Sequence, residues 1–98
     1  MDASSVYEWN EEKRRSTKEK HGIDFAEAIE LFDLPHIVAR SDRGDEVRYV
    51  AVGRLNNRFV AVVYTVRGEA TRIITARRAR DGEIRAYHQS YPAGGPLS

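Results

Sequence analysis

Residues 46–76, EVRYVAVGRLNNRFVAVVYTVRGEATRIITA, decide the fold of this chain. β-Branched and aromatic residues dominate three runs within it, at 46–54, 58–66 and 70–76. Asn56 and Asn57 lie between the first two runs and Gly68 lies between the last two, and both residue types tolerate the backbone angles of tight turns. Because such short connections join neighbouring antiparallel strands, the stretch predicts a meander with the middle run at its centre.

Two helices are predicted before this sheet. Asn10 is a suitable N-cap for a polar helix that continues to Lys20, and Gly22 suits the left-handed residue that follows such a helix. A second helix begins at Asp24 and ends before Pro35. Its apolar residues recur at helical spacing and are expected to face the core: Phe25, Ala28, Ile29 and Phe32.

The remaining segments complete the predicted fold. Residues 37–40 add a short fourth strand, and residues 77–91 form a C-terminal helix that Gly82 interrupts. The predicted fold class is therefore α+β, with two N-terminal helices, an antiparallel meander of three to four strands and a C-terminal helix. A single domain is expected over residues 5–91, followed by a flexible Pro/Gly-rich tail at 92–98.

Composition narrows the class of protein. A chain of 98 residues supports one domain with one modest core. The absence of cysteine excludes disulfides, thiolate metal sites and cysteine nucleophiles. No apolar run approaches the roughly 20 residues of a membrane span, and no secretory signal is present, so we expect a cytoplasmic protein with no membrane partner.

The histidines and glycines show no cofactor pattern. His21, His36 and His88 are scattered, without the spacing of metal ligands. The chain also lacks the glycine-rich motifs of dinucleotide and nucleotide sites and the motif of serine hydrolases. We therefore expect neither a metal nor an organic cofactor.

Arginine dominates the basic residues. The 16 basic side chains face 15 acidic ones, which leaves a net charge of +1, and only three of the 16 are Lys. Residues 67–85 hold six Arg against three acidic residues, a local excess of three positive charges. Because the guanidinium fork binds phosphate with two hydrogen bonds, this segment indicates anion recognition.

Two arginines are expected at the rim of the sheet. Alternate strand residues share a face, which places Arg72 with Ile74 and Ala76, and Arg48 begins an apolar face of the first strand of the meander. Nearby in sequence are three tyrosines, Tyr49, Tyr64 and Tyr87. Arginines that neutralise phosphates beside rings that stack on bases would form an RNA-binding surface. The same pattern also fits arginines in ion pairs with nearby glutamates and tyrosines in the core.

Short segments spread over residues 6–88 recur in one known family. They are Tyr7-Glu8-Trp9-Asn10 with Lys13, Lys20-His21-Gly22-Ile23, Phe25-Ala26-Glu27-Ala28, Asp33-Leu34-Pro35, Glu46-x-Arg48-Tyr49, Val52-Gly53, VYTVRG at 63–68 and RIITAR at 72–77. In this order and spacing they resemble the BrnT family of ribonuclease toxins from type II toxin–antitoxin systems. The chain departs from the family pattern at Thr17, at Thr75 and around Gly82.

The resemblance implies both an activity and a partner. It implies a RelE-like fold and a metal-independent endoribonuclease that cleaves RNA and blocks translation. It also implies a cognate BrnA-like antitoxin, with operator DNA bound only through the antitoxin complex. A non-catalytic RNA- or ribosome-binding module, or a protein-interaction module descended from such a toxin, is the alternative.

Roles for individual residues follow from the resemblance and from the chemistry of RNA cleavage. Four arginines are the candidates for stabilising charge on the phosphate: Arg48, Arg67, Arg72 and Arg77. Glu46 or His21 is the candidate general base, and Tyr87 or His88 is the candidate acid or stacking surface. Further contacts to RNA are expected from Lys20, Tyr49, Arg78 and Arg80.

Overall fold

The computed structural model of the chain describes residues 6–92. In chain order it contains β1 (Val6–Glu8), α1 (Glu11–His21), α2 (Phe25–Ala28), a 3-10 helix (Ile29–Asp33), β2 (His36–Arg40), β3 (Tyr49–Leu55), β4 (Arg58–Arg67), β5 (Ala70–Arg78) and α3 (Asp81–Ser90). The predicted α+β class is confirmed. Apart from Pro92, the predicted tail lies outside the described residues. Within them, every helix is too short or too polar to cross a bilayer.

The sheet has five strands in the order β1-β5-β4-β3-β2. Strands β2 to β5 pair antiparallel with their chain neighbours, which confirms the predicted meander and the central position of β4. The expectation of three to four antiparallel strands is wrong at one edge, because β1 pairs parallel with β5, from Val6 opposite Ala70 to Glu8 opposite Arg72. Three residues are too few to show strand periodicity in the sequence.

The second predicted helix is only partly α-helical. α2 begins after Asp24, whose side chain accepts a hydrogen bond from the backbone N–H of Ala26, and the chain then tightens into the 3-10 helix. Because a 3-10 helix has three residues per turn, Leu31 follows Ala28 onto the inner face and is fully buried. Phe25 and Ala28 are buried as predicted.

An ion pair joins the first two helices. Arg14 on α1 donates hydrogen bonds of 2.8 and 3.2 Å to the carboxylate of Asp24. These bonds, with the backbone N–H of Ala26, lower the pKa of Asp24 to about 2. Gly22 between the helices has a φ of 72°, the left-handed conformation expected after α1.

The core lies mainly between the sheet and the N-terminal helices. The larger cluster of buried side chains comprises Ile23, Phe25, Ala28, Leu31, Ala51, Leu55, Val60, Val62, Ile73 and Ala76. A smaller cluster on the other face contains Val50, Val52 and Ala61, with Tyr87 of α3 packed against it. The second face is therefore covered only in part.

A β-bulge in β5 changes which residues share a face. Val63 pairs with Thr75, but the next residue of β4, Tyr64, pairs with Ile73, so Ile74 is an extra residue. Ile73 and Ala76 consequently both join the larger core cluster. The prediction that Arg72 shares a face with Ala76 is therefore wrong, whereas Ile74 lines the same depression as Arg72.

The C-terminal helix starts later than predicted. Strand β5 continues through Arg77 and Arg78, and α3 begins at Asp81. Gly82 therefore lies in the first turn of the helix rather than interrupting it. The reason is that Arg77 and Arg78 complete the strand ladder opposite Ala61 and Val60.

Replacement of Gly53 by Ala is expected to lower the free energy of unfolding by about 1–3 kcal/mol, because the added methyl group overpacks the core. A Cβ atom at Gly53 would lie 2.7 Å from the carbonyl oxygen of Pro35 and 2.8 Å from Cδ1 of Leu31. The 3-10 helix would have to move away from β3. Urea denaturation of Gly53→Ala measures the loss.

Gly82→Ala is the matched control for this substitution. The nearest atom to a Cβ at Gly82 is Nη2 of Arg85, at 3.8 Å, so Ala fits and raises helix propensity by up to about 1 kcal/mol. Equal stability of the two variants would contradict the packing argument.

Candidate functional site

A basic groove crosses the sheet face that α3 leaves open. Two adjoining depressions form it, and the larger has a volume of about 560 Å³. We define the basic groove by its six cationic side chains: Lys13, Arg43, Arg48, Arg72, Arg77 and Arg80. Three acidic residues also line it, Glu12, Asp42 and Glu46, so the lining has an excess of three positive charges.

The bulge brings the strand arginines to this groove. Arg72 pairs with Thr65 and Arg77 pairs with Ala61, and both partners lie on the same face of β4. In a regular strand, residues five positions apart would point to opposite faces. The extra residue Ile74 therefore places both arginines on one face.

Arg48 is held at the groove by its own hairpin. Its Nε donates a 2.6 Å hydrogen bond to Glu46. The backbones of Glu46 and Arg43 exchange two hydrogen bonds of 2.9 Å across a turn that contains Gly44. This turn places a cation and a carboxylate side by side at the entrance of β3.

Arg72 is anchored by the N-terminal strand. Its Nη1 lies 3.6 Å from Oε1 of Glu8, the last residue of β1. Arg67 approaches the same carboxylate oxygen at 3.8 Å, but it is 62% exposed and lies outside the groove lining. Of these two predicted site residues, only Arg72 joins the groove.

Arg77 has the most enclosed ion pair of the groove. Its Nη1 donates a 2.9 Å hydrogen bond to Oε1 of Glu83, and its Nη2 donates another of 2.9 Å to Oε2. The side chains of Arg77 and Glu83 are only 18% and 24% exposed. Hydrogen bonding to Arg77 lowers the pKa of Glu83, and Glu83 in turn raises the pKa of Arg77. Glu83 also accepts the backbone N–H of Arg80, so one carboxylate joins β5 to the start of α3.

The predicted tyrosines are packed against other rings. Tyr49 stacks on Tyr64 at 5.5 Å between ring centroids, on the face opposite Arg48. Burial raises the pKa of Tyr64. Tyr87 meets Phe59 edge-on at 5.4 Å. For these rings the structure matches the alternative of core tyrosines.

The other predicted site residues lie apart from the groove. Lys20 and His21 are at the C-terminal end of α1, seven or more residues beyond Lys13. Arg78 is exposed on the opposite face, paired with Val60. His88 packs beside Phe59 with a centroid distance of 5.3 Å. Of the four predicted RNA contacts, Arg80 alone lines the groove.

Sequence reasoning missed the contribution of α1. Asn10, Lys13 and Ser16 line the larger depression, and their spacing of three residues puts them on one face of a helix. That periodicity is visible in the sequence, but nothing in it shows that the face lies beside β5.

The described residues include no metal cluster. Within residues 6–92, no three His, Asp or Glu side chains are close enough together to hold a metal ion.

Comparison with known proteins gives one family. A family model described as the ribonuclease toxin BrnT of type II toxin–antitoxin systems matches residues 9–83. The crystal structure of the Brucella abortus ribonuclease toxin BrnT is similar, with 32% sequence identity and a TM-score of 0.64 over 79% of this chain and 100% of that chain. No curated protein sequence matches significantly. The family match ends at Glu83 and so includes the six groove cations but neither Tyr87 nor His88.

Replacement of Glu83 by Gln is expected to lower the free energy of unfolding at pH 7 by about 1–2 kcal/mol, because a charge-assisted bond becomes a neutral one. The folded-state pKa of Glu83 is depressed, so the stabilisation is fully present above its ordinary pKa of 4.5 and is lost as pH falls through the folded-state value. Denaturation at pH 7 and pH 3 measures the change.

The exposed turn residue Glu69 supplies the matched control, Glu69→Gln, which should have the stability of the parent at both pH values. A Glu83→Gln deficit that is as large at pH 3 as at pH 7 would show that the ion pair is not its cause.

Proposed function

The chain belongs to the BrnT family of ribonuclease toxins of type II toxin–antitoxin systems, and from this we propose that its basic groove binds and cleaves RNA. The observation that carries the proposal is the convergence of Lys13, Arg48, Arg72 and Arg77, from α1, the β3 hairpin and β5, on one open face. A cationic groove of this kind attracts a polyanion despite the small net charge of the protein.

The proposed reaction needs no metal ion. The ribose 2′-oxygen loses a proton and forms a bond to the adjacent phosphorus, and the bond from phosphorus to the 5′-oxygen breaks as that oxygen gains a proton. A 2′,3′-cyclic phosphate and a 5′-hydroxyl result. In this proposal Arg48 and Arg72, which line one depression, stabilise the extra negative charge on the phosphate during this exchange.

Arg77 retains free donors for the same phosphate. Glu83 and the carbonyl of Arg78 occupy three N–H groups at the end of its guanidinium. The Nε–H and one N–H of Nη2 remain, and they lie along one edge of the planar group. Arg77 therefore presents a two-pronged edge whose orientation Glu83 fixes.

Glu46 is the favoured general base. It lines the same depression as Arg48 and Arg72, whereas His21 lies at the far end of α1. For the proton given to the 5′-oxygen, Lys13 is the favoured donor, because it lines both depressions while Tyr87 and His88 pack against Phe59.

The biological role follows the family. In the proposed role the protein cleaves RNA in the cytoplasm and inhibits translation, and a cognate BrnA-like antitoxin neutralises it. Acidic side chains of the antitoxin laid over the groove would silence it directly. Operator DNA is bound by the complex through the antitoxin.

Purified protein is expected to cleave RNA in the presence of EDTA. Arg48→Ala and Arg72→Ala should each cut about 10²–10³-fold more slowly, because each removes a donor to the charge that develops on phosphorus. Single-turnover cleavage of a labelled RNA measures the rates. Expression in bacteria should arrest growth, and co-expression of the small protein encoded beside its gene should restore it.

Arg15→Ala is the matched control, because Arg15 is an exposed α1 residue outside the groove. If parental protein binds RNA with strong salt dependence but does not cut it, the chain is a binding module and the catalytic proposal is wrong. If EDTA abolishes RNA cleavage by the parental protein, the proposal that the reaction needs no metal ion is wrong.

Glu46→Gln and His21→Ala distinguish the two candidate bases. We expect Glu46→Gln to slow cleavage about 10²–10⁴-fold, because its amide no longer accepts a proton from the 2′-hydroxyl. We expect His21→Ala to cleave like the parent. The reverse pattern in the same single-turnover assay would assign the base to His21.

A further inference from the structure

A separate depression adjoins the basic groove between α3 and strands β2 and β3. Its volume is about 320 Å³. Arg77 and Arg80 line both the depression and the groove, so the two spaces are continuous. Its floor is aliphatic, formed by Ile37, Val50 and Val52 of the sheet, and Ala86 of α3 also lines it.

We propose that this depression, the base pocket, holds one nucleobase of an RNA whose phosphate lies in the basic groove. The proposal rests on the proposed RNA-cleaving function of the groove. Binding sites for small organic groups are largely apolar concavities of about 300–1,000 Å³ with a few polar groups at the edge. The volume of this pocket is near the lower end of that range. A flat base fits such a volume, whereas a folded peptide segment would need more.

The polar groups stand where a nucleotide needs them. Arg77 and Arg80 line both the pocket and the groove in which the phosphate would lie, and a guanidinium plane also stacks on a base. Glu83 lines the pocket too, with both carboxylate oxygens bonded to Arg77. Arg40 and Ser41 line the pocket at the β2 end and supply donors for the edge of the base. The aliphatic floor lies between these two ends, where the ring of the base would be removed from water.

The pocket stays open because a small residue, Ala86, lines it from the side of α3. Glu83 fixes the beginning of the helix through Arg77, and Tyr87 packs on Phe59 farther along. Between them Ala86 presents only a methyl group to the pocket. A longer side chain at this position would fill the space from the helix side without altering the groove.

Methyl NMR spectra of the full chain test the proposal. The protein is titrated with each of the four 5′-nucleoside monophosphates and, separately, with ribose 5-phosphate. We expect at least one nucleotide to shift the methyl signals of Ile37, Val52 and Ala86, which line the pocket but not the groove, and ribose 5-phosphate to leave them in place. Ala86→Leu should weaken binding of that nucleotide at least about tenfold and leave ribose 5-phosphate binding unchanged. Gln89→Leu, at an exposed position of the same helix, should bind both ligands like the parent.

Two results would overturn the base pocket. One is that nucleotides and ribose 5-phosphate shift the same signals in the parental protein, a comparison that needs no variant to fold. The other is that every nucleotide leaves the pocket methyls unmoved; if Ala86→Leu then weakens binding of the antitoxin, the depression is a protein contact instead. The NMR titration measures binding and does not depend on RNA cleavage. These outcomes are therefore distinct from failure of the proposed function, which would be seen as uncut RNA in the cleavage assay.

Discussion

The extra residue in β5 is the constraint on which the candidate site depends. Strand alternation alone would send Arg72 and Arg77 to opposite faces of the sheet, one toward the buried core and one toward solvent. The bulge at Ile74 reverses the side-chain alternation in the second half of the strand. Ile73 and Ala76 therefore both fill the core, and both arginines reach the open face. A local irregularity thereby satisfies the hydrophobic core and the charged groove together.

Three of the five groove arginines are each accompanied by a carboxylate. Glu46 accompanies Arg48, Glu8 accompanies Arg72 and Glu83 accompanies Arg77. Such pairs fix the direction of the guanidinium and leave part of its donor edge free. They also explain how a chain with a net charge of +1 presents a cationic groove, because the compensating acids lie behind or beside the arginines.

Local patterns predicted the parts of the fold that local forces determine. The cap at Asp24, the buried Phe25 and Ala28 and the antiparallel meander all follow from spacing and turn chemistry. Strand β1, the bulge and the 3-10 helix depend on pairing or packing with distant residues, so no window of sequence contains them. At the site, motifs identified Glu46, Arg48, Arg72 and Arg77. Lys13 also belongs to a motif, but its place at the groove depends on the position of α1 beside β5. Because Tyr49 directly follows Arg48, the alternation of side chains along a strand already predicts that the two residues lie on opposite faces of the sheet.

The parallel edge strand gives the protein an order of assembly. Strands β2 to β5 connect through short loops and form from local contacts, whereas β1 pairs with residues near 70, across almost the whole domain. Closing so long a loop costs conformational entropy, and only pairing with a complete β5 offsets this cost. We therefore expect β1 to dock late in folding. During synthesis β1 is made before β5, and it must therefore wait for that strand. Glu8 can reach Arg72 only once β5 has been synthesised, and the groove is completed no earlier.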